Sequence, residues 1–120
     1  MKKVLVVDDS REACAHLTDI LTRHGYQVML ASNGKEAIDL ASEFSPDFVL
    51  MDIVMPELNG FQATRQLNNS PATSSIPVIM VSAKDQEVDK QWSAKQGAKA
   101  YLCKPVSEKA LMQTISQVIQ

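Results

Sequence analysis

Cysteine is scarce in this chain of 120 residues: Cys14 and Cys103 are the only two. Their spacing matches neither a zinc site nor a redox pair, so both are read as buried free thiols. Cys103 stands beside Lys104, whose ammonium would favour a thiolate, but a functional thiol is the weaker reading. Long apolar runs are also missing. None approaches the ~20 residues that span a bilayer. The run after Met1-Lys2-Lys3 is too short for a secretory signal before Asp8-Asp9 ends it, which makes the cytoplasm the expected compartment and membrane insertion unexpected. Basic clusters are absent from every expected helix, and the net charge is -2, so nucleic acid is not an expected partner. No repeat, linker or low-complexity tract divides the chain. Residues 1–120 read as a single domain, large enough to bury roughly two-thirds of the unfolded chain's surface.

What the chain does have is a set of apolar runs that end in acid. Phe48-Val49-Leu50-Met51 passes without a break into Asp52, and Ile53-Val54-Met55-Pro56 then turns toward Asn59-Gly60. Such a run, bounded by Pro46 and Pro56, suits a strand buried on both faces better than a helix. Val4-Leu5-Val6-Val7 ends the same way, at Asp8-Asp9. Ile76-Pro77-Val78-Ile79-Met80-Val81 ends in Ser82-Ala83, and Ala100-Tyr101-Leu102 ends in Cys103-Lys104-Pro105. A shorter strand is expected at Val28 to Ala31.

Helical spacing fills the intervals. Ala13, Leu17, Ile20 and Leu21 mark a first helix, with Asp9 and Glu12 as its start signal and Gly25 as its stop. Asn33-Gly34 opens a second, with Ala37, Ile38, Ala41 and Phe44 inward. A third runs from about Asn59, with Phe61, Thr64 and Leu67 on one face, and Asn68 to Ser75 reads as a surface loop. Asp85 is the expected cap of a fourth, whose apolar face is thin: Val88 and Trp92, with Ala94 nearby. The fifth begins at Ser107 and turns Leu111, Ile115, Val118 and Ile119 inward. Five strands alternating with five helices predict an α/β fold: a doubly wound, five-stranded parallel sheet in a three-layer, flavodoxin-like sandwich. Right-handed crossovers favour the order 2-1-3-4-5. In that order the winding reverses between the first and third strands, where Asp8, Asp9 and Asp52 end up.

A buried strand has no structural reason to finish in an ionised side chain. Two carboxylates ~4 Å apart repel by about 4 kcal/mol at an effective dielectric of 20. Three together require a raised pKa or a cation, and Mg²⁺ suits a site of a few carboxylates plus water that also accepts phosphate oxygens. With Lys104 and the Ser82 hydroxyl, the set is suited to phosphoryl transfer. Asp52 attacks phosphorus in line, and the cations offset charge on the equatorial oxygens.

The pattern formed by Asp8-Asp9, Asp52 with Met55-Pro56 and Gly60, Ser82-Ala83, and Lys104-Pro105 resembles the CheY-like receiver domain of two-component response regulators, over the whole chain. The resemblance implies that Asp52 is the phosphoacceptor, and that Asp8, Asp9, Asp52 and the Val54 backbone carbonyl hold Mg²⁺. It also implies that Ser82 and Tyr101 are the switch pair, that Lys104-Pro105 is cis, and that the donor is a phosphohistidine on a CheA-like histidine kinase. Such a domain is not an enzyme acting on external substrates; it catalyses only its own phosphotransfer and slow dephosphorylation. Leu50 to Pro56, Gly60 to Leu67 and Lys84-Asp85-Gln86-Glu87 are similar, more narrowly, to a stand-alone chemosensory regulator of type IV pilus twitching. On that reading the chain is a monomer without an effector domain. Its output is a contact with a downstream protein such as the pilus motor or its regulators, or withdrawal of phosphoryl groups from a shared kinase. The expected output face is the fourth helix, fifth strand and fifth helix.

Three rivals fit less well. An aspartate-nucleophile phosphatase commonly carries a second acid two residues after the nucleophile, where this chain has Val54. A flavin or nucleotide module wants a Gly-rich loop after the first strand, where this chain has two anions. A receiver-like scaffold without phosphorylation leaves the filled set of five positions unexplained.

Overall fold

A computed structural model describes residues 2–119. Its elements follow in the order β1 (Lys3–Val7), α1 (Arg11–Arg23), β2 (Gln27–Ala31), α2 (Gly34–Phe44), β3 (Phe48–Met51), α3 (Gly60–Asn69), β4 (Val78–Ser82), α4 (Glu87–Lys95), β5 (Ala100–Cys103) and α5 (Glu108–Val118). All neighbouring strands pair in parallel, and the sheet order is β2-β1-β3-β4-β5, as the crossover rule predicts. The three apolar runs form the three inner strands. Both faces of these strands are covered, which is why their sequences show no alternation.

Alternate residues of those strands feed two separate cores. Val4, Val6, Phe48, Leu50, Ile79 and Val81 pack under Leu17, Ile20 and Leu21 of α1 and Leu111 and Ile115 of α5. Leu5, Val7, Val49, Met51, Val78 and Met80 face the other way, against Ala37 and Ala41 of α2 and Ala63 and Leu67 of α3. Tyr26 closes the first core edge-on to Phe48, with ring centroids 5.5 Å apart.

Helix starts are set by local hydrogen bonds. Ser10, not Asp9, caps α1: its hydroxyl accepts from the Ala13 amide, while Asp9 lies exposed outside the helix. Asn33 and Ser107 cap α2 and α5 in the same manner. Asn59 and Gln62 form a reciprocal capping box at α3. The expected Asp85 cap is not formed. Gln86 occupies that position, and its side chain makes no capping bond. Gly25 and Gly97, both at positive φ, follow the ends of α1 and α4.

Three further expectations are corrected, and the apolar face of α4 is as thin as expected. Phe44 ends α2 facing solvent, because the helix finishes before its side chain can reach the sheet. Val88 and Trp92 are about half exposed, and Ser93 is the one α4 residue that is fully buried. The loop after α3 is not wholly superficial: Thr73 is buried and its hydroxyl donates to the Leu67 carbonyl at 2.7 Å. Cys103 is exposed, since the edge strand β5 ends there; Cys14 is buried as expected.

Candidate functional site

Parallel strands bring their carboxyl ends to one edge, and pairing of β1 with both β2 and β3 puts their last residues side by side. The Asp8 amide donates to the Ala31 carbonyl at 3.0 Å, and the Asp52 amide to the Val7 carbonyl at 2.9 Å. Asp8 and Asp52 are therefore held by the ladder itself, and both are buried. Asp9 is exposed at the rim. One carboxylate oxygen from each of Asp8, Asp9 and Asp52 lies within 4.8 Å of the others.

Lys104 enters from the end of β5. Its Nζ donates to Asp8 Oδ2 at 2.6 Å and stands 3.7 Å from Asp52 Oδ1. Its amide donates to the Ser82 carbonyl at 2.8 Å, and the peptide to Pro105 is cis. His16 of α1 fixes the turn beyond, its Nε2 donating to the Val106 carbonyl at 2.7 Å. The chain around Asp52 is equally constrained. The Gly60 amide donates to the Ile53 carbonyl at 2.8 Å, and a Cβ on Gly60 would fall 2.0 Å from the Asp52 carbonyl oxygen. The glycine that follows the Met55-Pro56 turn is required by close backbone approach.

These neighbours set the charge states. Burial pushes the Asp52 carboxyl up to about 6, and the Asp8 carboxylate adds to that rise; Lys104 and the Ile53 amide act in the opposite direction. At Lys104 burial disfavours the ammonium, but the Asp8 hydrogen bond and the Asp52 charge prevail and its pKa is raised. Cys14 donates its thiol to the Asp8 carbonyl at 3.4 Å, and burial and then Asp8 raise its pKa, so it is a packing residue rather than a nucleophile. The donors are all hard oxygens, two of them buried and one open to solvent. That set fits a small divalent cation that keeps some of its waters.

Ser82 ends β4 buried, its hydroxyl accepting from the Lys84 amide at 3.2 Å. Tyr101, on the neighbouring strand, donates its hydroxyl to the Lys84 carbonyl at 2.6 Å. The backbone of one residue, Lys84, thus joins the two side chains, through its amide on one side and its carbonyl on the other. Sequence reading missed Lys84, and no side-chain signal would have revealed it, because its contribution is entirely backbone. It missed His16 for a related reason: the partner is a carbonyl 90 residues away. Val54 lies exposed in the loop after Asp52.

The response regulator receiver domain family model matches residues 4–116. Protein PilH of Pseudomonas aeruginosa is 55% identical over 119 residues, covering 99% of this chain and 98% of that protein. Among solved structures, chemotaxis protein CheY4 of Vibrio cholerae superposes with a TM-score of 0.92 at 30% identity, over 98% of each chain. The receiver domain of sensor histidine kinase PA1611 from Pseudomonas aeruginosa, solved with a magnesium ion in its active-site cleft, gives 0.91 at 27% identity, over 98% of this chain and 97% of that one. Fold, acidic cluster and sequence agree: the chain belongs to the response regulator receiver domain family.

Proposed function

We propose that Asp52 accepts a phosphoryl group from a phosphohistidine of a partner kinase and that the change of charge there switches a protein contact. A carboxylate oxygen of Asp52 forms the new O–P bond in line as the P–N bond to the donor imidazole breaks. The imidazole nitrogen departs with the bonding pair and takes up a proton. Asp8, Asp9, Asp52 and the Val54 carbonyl would hold Mg²⁺, which supplies positive charge for the phosphoryl oxygens. Lys104 places an ammonium beside the same atoms, and the Ser82 hydroxyl donates to a phosphoryl oxygen. The observation that carries this reading is the convergence of three carboxylates within 4.8 Å, with Lys104 bridging two of them at the edge of the sheet.

Movement of Ser82 toward a phosphoryl group would release the Lys84 amide, and the Lys84 carbonyl is the anchor of Tyr101. The face made by α4, β5 and α5 is therefore the proposed output, and α4, the helix with fewest buried residues, is its mobile part. The proposed pathway is the chemosensory control of type IV pilus twitching, and it rests on the 55% identity to PilH across nearly the full length of each chain.

The direct test is incubation with Mg²⁺ and acetyl phosphate followed by intact-mass measurement. Wild type should gain one phosphoryl group, and Asp52→Asn should gain none; equal labelling of the two would refute the assignment. Expression in Pseudomonas aeruginosa lacking PilH tests the pathway, with twitching restored by wild type and not by Asp52→Asn. Normal signalling by Tyr101→Ala would remove the aromatic step alone.

A further inference from the structure

The apolar residues that α4 does not bury are gathered at one place. Trp92 and, one turn earlier, Val88 are about half exposed. Trp92 lines a groove of about 320 Å³ with Gln96 and with Phe61, Gln62 and Arg65 of α3. The same two helices meet where the Asn68 side chain lies against Gly97, just past the end of α4, too close for a Cβ there. The groove's charge has the opposite sign to the chain's net charge of -2. Arg65 is its one charged lining residue, and the Lys95 ammonium stands 5.5 Å from the centre of the Trp92 ring. Among the described residues neither Arg65 nor Lys95 has an ion-pair partner. The acids of α4, Glu87 and Asp89, sit in its first turn, where the helix dipole favours them, and do not line the groove.

We propose that this α3–α4 groove docks an acidic segment of a partner protein that carries a large apolar anchor. The anchor covers Phe61 and Trp92 while its carboxylates meet Arg65 and Lys95. Tryptophan and arginine side by side are the residue types that dominate binding energy at protein interfaces, and an arginine fork pairs well with a carboxylate. None of Asp8, Asp9, Asp52 or Lys104 lines the groove, so the inference does not rest on the assignment of Asp52.

A peptide-display library selected against the intact chain tests it. The chain's only tryptophan lies in the groove and reports occupancy by fluorescence. Selected peptides should combine Asp or Glu with Leu, Ile or Phe and shift Trp92 emission. Arg65→Glu should weaken them at least tenfold, and Trp92→Ala should weaken them more than Trp92→Phe, as read by calorimetry. Circular dichroism and acetyl phosphate labelling should match wild type in every variant. Failure to enrich acidic peptides, or affinity unchanged in Arg65→Glu, overturns the proposal. Sedimentation showing self-association that Arg65→Glu abolishes also overturns it, by making a second copy the occupant.

Discussion

At Asp52 a carboxyl raised to about 6 from an ordinary value near 3.8 makes the folded state bind more protons than the unfolded chain between those values. Stability of the metal-free protein is therefore expected to fall as pH rises from 4 to 7, by at most about 3 kcal/mol. Thermal melts in chelator should show that slope, and Asp52→Asn should flatten it and melt higher at pH 7. Lys104 contributes with the opposite sign. Its ammonium offsets the Asp8 and Asp52 charges, and it also repels any cation bound among them. Lys104→Ala should lower the metal-free melting temperature yet tighten Mg²⁺ binding at least tenfold, measurable by calorimetry. An unchanged magnesium affinity would mean that the ammonium moves away when the cation arrives.

Among the elements, those with complete local signals are also those whose ends were legible in sequence. The third helix is expected from about Asn59, and it starts there, where Asn59 and Gln62 cap it reciprocally. The starts of the first and fourth helices are less legible, because several polar residues compete for each cap and backbone geometry selects Ser10 and Gln86. The β3–α3 connection makes the sharpest prediction at this scale. A Cβ on Gly60 meets the Asp52 backbone, which cannot rotate aside. Gly60→Ala should cost about 1–3 kcal/mol in denaturant melts. Its acetyl phosphate labelling should slow as well, since the displaced atoms carry the nucleophile. Ser107→Ala tests an ordinary cap and should cost about 1 kcal/mol without touching labelling.

For the molecule as a whole, the acidic site opposes folding until a cation or a proton relieves it. Magnesium bound to the native state alone should stabilise the fold by about 2.7 kcal/mol at a hundredfold excess over its dissociation constant. That corresponds to a rise in melting temperature of about 11 °C for a chain of this size. The rise should vanish in a protein carrying Asp9→Asn with Asp52→Asn. Three inner strands covered on both faces supply two cores able to bear that local cost, whereas α4, with one fully buried residue, has little hold on either.

The sequence by itself determined the parallel sheet, its strand order and the meeting of Asp8, Asp9, Asp52 and Lys104. Unbroken apolar runs demand two covered faces, and right-handed crossovers leave one arrangement that puts those residues at a single edge. Tertiary structure alone decided what depends on distance between remote backbone atoms. The Lys84 backbone joins Ser82 to Tyr101, His16 reaches the Val106 carbonyl, and Gly60 presses on Asp52. It also turned Val88 and Trp92 outward. A stripe of apolar residues shows that a helix has an apolar face, but only the placement of its neighbours decides whether that face is covered.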